Sequence, residues 1–251
     1  MPASQKQSLL APHFPPEVAA RLEQALSVPG ALWVTDADGT LWSDDIGEGF
    51  LQKLIADNAL VSPEAQGIDV WLEYEARVAA DKGAGYAWAA QVMAGMPEAE
   101  VRERAASFAK AFVPRHLYGA MAALIEAAQT IGAVPWIVSA SNQWIVEAAA
   151  PLLGMPANRV AGIRVAVANG RLTSRLVSPV TFKAGKVDTI QQLIGRTPTL
   201  VSGDSSGDVE MLAVATSAAL FVAHPGKTSA DLLKLAGTSG WLTVDLPGSI
   251  L

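Results

Sequence analysis

Residues 31–41 read Ala-Leu-Trp-Val-Thr-Asp-Ala-Asp-Gly-Thr-Leu. The first five form an uncharged run, and Asp36, Asp38 and Gly39 follow it at once. A short apolar run bounded by turn-forming residues is typical of a buried strand in a parallel sheet. Gly39 permits the tight turn that such a strand end needs. The stretch therefore predicts a β-strand over residues 31–35 with two carboxylates at its carboxyl end.

Three further runs resemble this one and also end in polar, turn-forming residues. They are Ala133–Val138, Thr199–Ser202 and Ala218–Val222. Helical patterns precede and separate the runs, at Pro15–Leu26, Leu117–Thr130, Trp144–Leu153, Gly185–Ile194, Val209–Thr216 and Thr228–Leu235. Strands that alternate with helices predict an α/β fold, a Rossmann-like doubly wound parallel sheet with right-handed crossovers. Ligands bind at the carboxyl ends of the strands in such sheets, which is where the polar residues fall.

Two segments depart from this alternation. Residues 46–113 are rich in Ala, Glu, Gln and Arg and contain helix breaks but no convincing strand, so they predict a helical insertion. We therefore expect a core made of residues 1–45 and 114–251, interrupted by that insertion. Residues 159–177 place Asn169-Gly170 between two β-rich arms, which predicts a β-hairpin with a tight turn.

The composition restricts the class of protein and its partners. With 51% hydrophobic and 17% charged residues, the 251-residue chain can bury a sizeable core. Its formal net charge of −6 and its pI of about 5.1 argue against a nucleic-acid partner. The chain has no Cys, which excludes disulfides, zinc–thiolate sites and cysteine nucleophiles.

No apolar run has the length of a secretory signal in residues 1–10 or of a membrane span elsewhere. We therefore expect a soluble, cytoplasmic protein without a membrane partner. The sequence leaves open whether it is a monomer or a homodimer.

The paired aspartates are the strongest chemical signal. At a curled strand end, Asp36 and Asp38 can face one site, share a hard cation, and act as nucleophile and general acid. The alternative from the residues alone is an Asp-rich turn that caps the next helix.

Polar residues at the other strand ends strengthen the first interpretation. Ser139 offers a hydroxyl after the second run, and Lys186, or else Lys183, offers a fixed positive charge near a helix start. Asp204 and Asp208, in the sequence Gly-Asp-Ser-Ser-Gly-Asp, would complete an oxygen-rich Mg²⁺ site with the paired aspartates. A helix cap and a solvated surface lysine are the alternatives for these residues taken singly.

In their order along the chain, these motifs resemble the haloacid-dehalogenase superfamily of aspartate-nucleophile hydrolases, from Asp36 through Asp208. The segment Val138–Ser141 and the helical insertion are similar to its phosphoserine-phosphatase-like branch. The resemblance implies that the insertion is a helical cap over the active site and that Mg²⁺ is the cofactor. It also implies the role of nucleophile for Asp36, general acid and base for Asp38, stabiliser of phosphate and charge for Ser139 and Lys186, and metal ligation by Asp36, Asp38, Asp204 and Asp208.

The resemblance also marks where this chain departs from phosphoserine phosphatases. An acidic residue is expected several positions after the first motif, and Asp44, Asp45 or Glu48 can fill that place. The cap arginine that grips a substrate carboxylate is missing from the expected helix Tyr86–Met96, and Arg77 is the alternative.

Two tryptophans indicate another kind of substrate. Trp42 and Trp88, together with Asp45 and Glu48, could surround a cationic amine, because aromatic faces and carboxylates both attract ammonium groups. Core packing is the alternative role for each tryptophan. The expected substrate-binding residues are Trp42, Asp45, Glu48, Trp88, Ala140 and Ser141.

The sequence thus predicts a Mg²⁺-dependent phosphomonoesterase acting through an aspartyl phosphate. Its expected substrate is a small phosphorylated metabolite, such as a phosphorylated amino alcohol or amino acid. A receiver-like phosphoacceptor domain is the alternative from a different class, although the chain length, Asp38 and the cap argue against it. A phosphomutase of the same superfamily shares the motifs and stays open.

Overall fold

Strand β1, Leu32–Thr35, lies in the middle of a seven-stranded sheet in the computed structural model, which describes residues 8–246. The other strands are β2 (Val134–Asn142), β3 (Val160–Ala168), β4 (Arg171–Val177), β5 (Leu200–Gly203), β6 (Ala218–Ala223) and β7 (Leu242–Asp245). Their order across the sheet is β4-β3-β2-β1-β5-β6-β7, and neighbours run parallel except for the antiparallel pair β3 and β4. The predicted doubly wound, mostly parallel sheet is confirmed.

Helices cover both faces of the sheet. In β1, Trp33 belongs to one buried apolar cluster while Leu32 and Val34 belong to another, because successive strand residues point to opposite faces. Numbered along the chain, the core helices are α1 (Pro16–Leu26), α6 (Gly119–Ile131), α7 (Gln143–Ala149), α8 (Ala184–Thr189), α9 (Val209–Leu212) and α10 (Ala230–Thr238). The insertion contributes α2 (Ile46–Ala56), α3 (Val70–Ala80), α4 (Lys82–Gln91) and α5 (Glu98–His116).

Some core elements differ in extent from the sequence expectation. Strand β2 continues past Ser139 to Asn142, whose side chain caps α7. Helix α9 ends at Leu212 instead of Thr216. Strand β7 is short and half polar, so it does not stand out in the sequence.

The helices of the insertion, called the cap below, have a small apolar cluster of their own that contains Leu51, Tyr74 and Trp88. Helix α4 spans Lys82–Gln91 and not the expected 86–96, because Asp81 caps its start by accepting a hydrogen bond from the Ala84 amide at 3.2 Å. The capping aspartate fixes the first turn earlier than the apolar pattern indicated.

The chain enters and leaves the cap along two adjacent segments. Ser43 N donates to His116 O at 2.9 Å, and Tyr118 N donates to Leu41 O at 3.0 Å. Helix α5 continues to His116, past residue 113. The division of the chain into a core domain and a cap domain stays a prediction.

Strands β3 and β4 form the predicted hairpin, with Asn169 and Gly170 at its turn. Both residues have positive φ angles, 51° and 71°, as a tight two-residue hairpin turn requires. The other edge of β4 binds the cap, since Gly95 N donates to Leu172 O at 2.8 Å and Leu172 N donates to Met96 O at 3.0 Å. These bonds hold the segment between α4 and α5 against the sheet.

Within residues 8–246, no helix combines the length and the apolarity that a membrane crossing requires. The sequence predicts no secretory signal in residues 1–10. Residues 1–7 of this segment lie outside the part of the chain that the structure describes, so this stays a prediction.

Candidate active site

Two aspartates extend from neighbouring strands at the same edge of the sheet. Asp36 follows β1 directly and Asp204 follows β5, and these strands pair in parallel with Thr35 beside Ser202. Asp36 N continues the pairing by donating to Ser202 O at 2.9 Å. Because parallel neighbours end at a common edge, positions far apart in the sequence meet here.

Lys186 joins these strand ends from helix α8. Its side chain is 2% exposed, and its Nζ lies 2.5 Å from Asp36 Oδ1 and 2.6 Å from Asp208 Oδ1. Burial lowers the pKa of Lys186, but the two carboxylates outweigh burial and the net effect raises this pKa. Lys183 is exposed, and its Nζ lies 5.5 Å from the centre of the Phe182 ring. The structure therefore brings Lys186, and not Lys183, to the carboxylates.

Asp208 organises the loop that follows β5. Its Oδ2 accepts hydrogen bonds from Ser205 N at 3.0 Å, from Ser205 Oγ at 2.9 Å and from Asp204 N at 3.3 Å. Its Oδ1 is occupied by Lys186. Asp208 is therefore a buried support that holds Asp204 and Lys186 in place.

A cluster of carboxylates could hold a metal ion at this edge. Oxygens of Asp36, Asp204 and Asp208 lie within 4.8 Å of one another. Burial raises the pKa of Asp36, although the Lys186 ammonium opposes the rise. Burial also raises the pKa of Asp204, to about 6. The three carboxylates together carry more negative charge than the Lys186 ammonium offsets. Oxygen donors with excess negative charge suit a hard divalent cation such as Mg²⁺.

Two neighbouring loops close around Asp204. Gly39 has a φ of 76°, and a Cβ at that position would overlap the Asp204 carboxylate, so the first motif approaches as closely as it does only with glycine. His224, which follows β6, places its Nε2 3.3 Å from Asp204 Oδ2, and this carboxylate raises the pKa of the imidazole. His224 gives no motif signal in the sequence and was not among the expected site residues.

The carboxylate of Asp38 is held by groups outside the metal cluster. Its Oδ1 accepts from Trp42 Nε1 at 2.8 Å and from Ile46 N at 2.7 Å, and its Oδ2 accepts from Ser141 Oγ at 2.7 Å. Burial raises the pKa of Asp38, and these three hydrogen bonds oppose the rise. Among the described residues, the Asp38 carboxylate thus lies apart from the cluster of Asp36, Asp204 and Asp208, and the metal ligation expected of Asp38 stays a prediction.

A cavity of about 320 Å³ opens onto this edge of the sheet between the core and the cap. Expected site residues in its lining are Asp36, Asp38, Asp45, Glu48, Ala140, Ser141, Lys186 and Asp204. Residues that the sequence did not single out for the site are also present, among them Tyr74, Lys82, Tyr86, Phe182 and His224. The volume lies at the lower end of the range for small-molecule sites, which favours a small substrate.

The family model of haloacid dehalogenase-like hydrolases matches residues 33–213, which is more than half of the chain. The chain belongs to the haloacid dehalogenase-like hydrolases. The resemblance that the order of the motifs indicated is thereby confirmed. No curated protein matches the chain.

Solved structures of similar fold include proteins of unknown function and phosphoserine-phosphatase-like proteins. A conserved protein of unknown function from Anaerococcus prevotii is 15% identical to this hydrolase at a TM-score of 0.74, over 95% of this chain and 94% of the other. A protein of unknown function from Bordetella pertussis is 18% identical at 0.73, over 86% and 98%. A probable phosphoserine phosphatase from Vibrio cholerae is 18% identical at 0.60, over 87% and 61%. At these identities the likeness concerns the fold.

Ser139 and Trp42 of the hydrolase, both expected in the site, are buried and are not in the lining of the cavity. Ser139 Oγ accepts from Ser141 N at 3.0 Å, and Ser139 O accepts from Thr181 Oγ1 at 2.5 Å. Trp42 is 0% exposed and packs edge-on against Phe112, with 6.3 Å between the ring centres. The structure therefore does not bring the Ser139 hydroxyl or the Trp42 ring to the space for substrate.

Trp88 and Arg77 meet each other on a different surface of the cap. Trp88 Nε1 donates to Glu64 Oε2 at 3.1 Å, and the guanidinium of Arg77 lies 4.9 Å from the centre of the Trp88 ring. Arg77 also pairs with Glu73 at 2.8 Å. Neither residue is in the lining of the cavity, so the structure does not bring Trp88 or Arg77 to the space for substrate.

The aromatic surface of the cavity is supplied instead by Tyr74, Tyr86, Tyr118 and Phe182. Tyr74 donates through its hydroxyl to Glu48 Oε1 at 2.9 Å. Tyr86 of the cap packs edge-on against Phe182 of the core, with 5.6 Å between the ring centres. In the sequence Tyr86 already lies on the expected cap helix, but nothing there tells which face of the helix turns toward the core.

Asp45 and Glu48 place two carboxyl groups on the cap side of the cavity. Asp45 Oδ1 accepts from Glu48 N at 2.8 Å and so caps helix α2. Burial raises the pKa of Asp45 well above its usual value, and the nearby Asp38 and Glu48 raise it further. Within residues 8–246, neither Asp45 nor Glu48 forms an ion pair with Lys, Arg or His.

Proposed function

We propose that this hydrolase is a Mg²⁺-dependent phosphomonoesterase with Asp36 as its nucleophile. One observation carries the proposal: Asp36, bonded to the buried Lys186, and the separately held Asp38 both line one cavity beneath the cap. A carboxylate beside a fixed cation can attack phosphorus, and a second carboxylate nearby can manage protons. Solved structures of similar fold that are named as phosphoserine phosphatases support the same reaction class.

The proposed reaction has two steps. An oxygen of Asp36 attacks the phosphorus in line with the leaving group, the ester P–O bond breaks, and the leaving alkoxide takes the proton of Asp38. Water then attacks the aspartyl phosphate while Asp38 takes one of its protons, and inorganic phosphate leaves Asp36 free. Lys186 stabilises the negative charge of the phosphoryl group throughout, because its ammonium is fixed beside Asp36.

Asp36 and Asp204 are the residues that would hold Mg²⁺. Asp208 is buried and, unlike Asp36 and Asp204, does not line the cavity, so Asp208 would orient the site from behind. Bound Mg²⁺ would offset the repulsion between the Asp36 carboxylate and the phosphate and would stabilise charge on the phosphoryl oxygens. Asp36, Asp204 and Asp208 bring three carboxylates together, and among the described residues the ammonium of Lys186 is the only one that pairs with them. This excess of negative charge supports the need for such a cation.

Asp38 is suited to proton transfer by its surroundings. Its hydrogen bonds to Trp42, Ile46 and Ser141 fix the orientation of the carboxylate. Burial raises its pKa and so favours the protonated form, which a general acid needs. The cap residues in the cavity lining, among them Tyr74 and Tyr86, would limit the access of water to the reacting atoms.

We also propose that the substrate carries a cationic amine close to its phosphate. Asp45 and Glu48 lie next to Tyr74 and Tyr86 in the cavity lining, and neither carboxylate has an ion-pair partner among the described residues. An ammonium group would supply that partner and could also contact the tyrosine faces. Phosphorylated amino alcohols and phosphorylated amino acids both meet this condition, and Lys82 in the same lining would accompany a substrate carboxylate.

Turnover of p-nitrophenyl phosphate with Mg²⁺, followed by acid quench and mass spectrometry of the peptide that contains Asp36, tests the proposed function. We expect repeated turnover and a transient phosphoryl group on Asp36. A receiver-like domain would be phosphorylated by acetyl phosphate without turning over esters, and a phosphomutase would move phosphate between sugar hydroxyls faster than it releases phosphate. Either result would overturn the proposal. The cytoplasmic location, the lack of nucleic-acid and membrane partners, and the choice between monomer and homodimer stay predictions from the sequence.

A further inference from the structure

The indole of Trp42 is buried against the carboxylate of Asp38. Trp42 Nε1 donates to Asp38 Oδ1 at 2.8 Å, and the Trp42 side chain is 0% exposed. A buried N–H group without a partner is costly, so this hydrogen bond holds both groups in one arrangement. The orientation of Asp38 is thus tied to a side chain that lies outside the cavity lining.

The two oxygens of Asp38 have different kinds of partners. Oδ1 accepts from two N–H groups, those of Trp42 and Ile46, which can only donate. Oδ2 meets the Ser141 hydroxyl, which can either donate or accept. Oδ1 is therefore fixed between two donors from the segment after the first motif, whereas the partner of Oδ2 is a rotatable hydroxyl on a residue of the cavity lining.

We propose that Trp42 is a positioning residue, which holds Asp38 Oδ1 and thereby directs Oδ2 toward the leaving group of the substrate. The inference rests on the proposed phosphatase function. It replaces the substrate contact expected for Trp42 from the sequence, because the ring packs between Asp38 and Phe112 and does not reach the cavity.

Trp42 is itself fixed by the backbone around it. Gly39 N donates to Trp42 O at 2.9 Å, and Trp42 pairs with Leu117 where the chain returns from the cap. Ile46, the second donor to Asp38 Oδ1, is the first residue of helix α2. Asp38 Oδ1 is therefore held by the segment that leads into the cap, whereas Oδ2 is held by Ser141 of strand β2.

The variant Trp42→Phe keeps an aromatic ring and removes the N–H donor. We expect its kcat for an alkyl phosphate to fall about tenfold, part of the roughly 10²- to 10⁴-fold that general acid catalysis contributes. The loss for p-nitrophenyl phosphate should be smaller, because that leaving group needs little protonation. Trp144→Phe is the matched control, since Trp144 is also buried and donates to a carboxylate, Glu98 Oε1, at 3.2 Å. It should leave both rates unchanged.

A double-mutant cycle separates positioning from general destabilisation. In an Asp38→Asn background, Trp42→Phe should cause little further loss with the alkyl phosphate, because the proton donor is already gone. The proposal is overturned if Trp42→Phe slows both substrates equally, or if its full effect persists in the Asp38→Asn background.

A measurement that leaves Trp42 intact covers the case in which Trp42→Phe does not fold. In protein labelled with ¹⁵N-tryptophan, the indole N–H resonance of Trp42 should move when Asp38 is replaced by Ala, whereas that of Trp144 should not. A Trp42 resonance that ignores Asp38→Ala overturns the proposal. If wild-type protein hydrolyses no phosphate ester, the proposed function fails, and the resonance still decides whether Trp42 holds Asp38.

Discussion

Lys186 Nζ lies 2.5 Å from Asp36 Oδ1, although 150 positions separate the two residues in the sequence. The same ammonium lies 2.6 Å from Asp208 Oδ1, and all three groups are buried. A buried charge that loses its partner is strongly destabilising, so these contacts serve the stability of the core as well as the chemistry proposed for the cavity.

Replacing Lys186 by Met should therefore reduce stability and activity together. Removal of the ammonium leaves Asp36 and Asp208 facing each other without compensation, and we expect a loss of about 3–5 kcal/mol in the free energy of unfolding. Urea denaturation checks the stability and hydrolysis of p-nitrophenyl phosphate checks the activity. Lys183→Met is the control, because Lys183 is exposed and does not reach the carboxylates. A Lys183→Met protein as impaired as Lys186→Met would show that the wrong lysine has been assigned.

Asp36→Asn should abolish turnover while the protein stays folded. The amide is nearly isosteric with the carboxylate but cannot form the aspartyl phosphate, and the position is at a strand end that faces the cavity. Near-ultraviolet circular dichroism checks the fold, and release of inorganic phosphate checks the activity. Substantial phosphate release by folded Asp36→Asn protein would contradict a covalent mechanism at this residue.

Asp38→Asn should show a loss that depends on the leaving group. The rate with an alkyl phosphate should fall by roughly 10²- to 10⁴-fold, since the alkoxide then leaves without a proton. The rate with p-nitrophenyl phosphate should fall less in the first step, because p-nitrophenolate is a good leaving group. Equal losses for the two substrates would indicate that Asp38 serves mainly in hydrolysis of the aspartyl phosphate.

Activity should depend on Mg²⁺ and on pH through Asp204. Chelation by EDTA should remove activity and added Mg²⁺ should restore it. The pKa of Asp204 is raised to about 6, so protons should compete with the metal as the pH falls below that value and Mg²⁺ should bind more weakly. The rise in Tm on addition of Mg²⁺, measured at pH about 5 and about 7.5, checks the direction. In Asp204→Asn this rise should be small at both pH values, and unchanged turnover after exhaustive chelation would refute the metal dependence.

The sheet could be predicted from the sequence because its central strands are short, apolar and followed by turn residues. In β1, residues on both faces are buried, so the whole run reads as apolar and its end is marked by Asp36. The carboxyl ends of neighbouring parallel strands must meet, and this alone brings Asp36 and Asp204 together once the topology is known. Strand β7 could not be predicted from the sequence, because its four residues lie at an edge of the sheet and only part of the strand is buried.

The cap side of the cavity could not be predicted in the same way. Helix α4 consists largely of Ala and Gly around Tyr86 and Trp88, so its periodicity does not say which aromatic ring faces the core. The packing against Phe182 turns Tyr86 toward the cavity, while Trp88 turns toward Glu64 and Arg77. Such facing is decided by tertiary contacts with residues far away in the sequence. For the same reason the sequence does not show that the indole of Trp42 donates a hydrogen bond to Asp38 inside the core and does not line the cavity.

The cap should select substrates by charge, and pairs of esters with equal shape can measure that selection. Phosphoethanolamine has an ammonium group where propyl phosphate has a methyl group. Phosphocholine has a trimethylammonium group where 3,3-dimethylbutyl phosphate has a tert-butyl group. A favourable cation–π contact contributes about 0.5–2 kcal/mol, so one good contact corresponds to a preference of about tenfold. We expect the cationic member of each pair to have the higher kcat/KM.

The residues that give this preference should be Asp45 and Glu48, with Tyr86 beside them. Asp45→Asn retains the cap of helix α2, because Asn is also a good N-cap residue, and removes the charge. It should therefore reduce the preference for the cationic esters without a large loss of stability. Trp88→Ala should leave the preference unchanged, since Trp88 contacts Glu64 and Arg77 and not the cavity. Phosphoserine should be a poorer substrate than the amino alcohol esters, because its carboxylate would meet the acidic lining and no cap arginine. Lys82→Ala should slow phosphoserine further, since Lys82 lies in the same lining. Equal kcat/KM values within both pairs of esters would contradict an amine-binding cap and would leave Asp45 with its structural role at the start of helix α2.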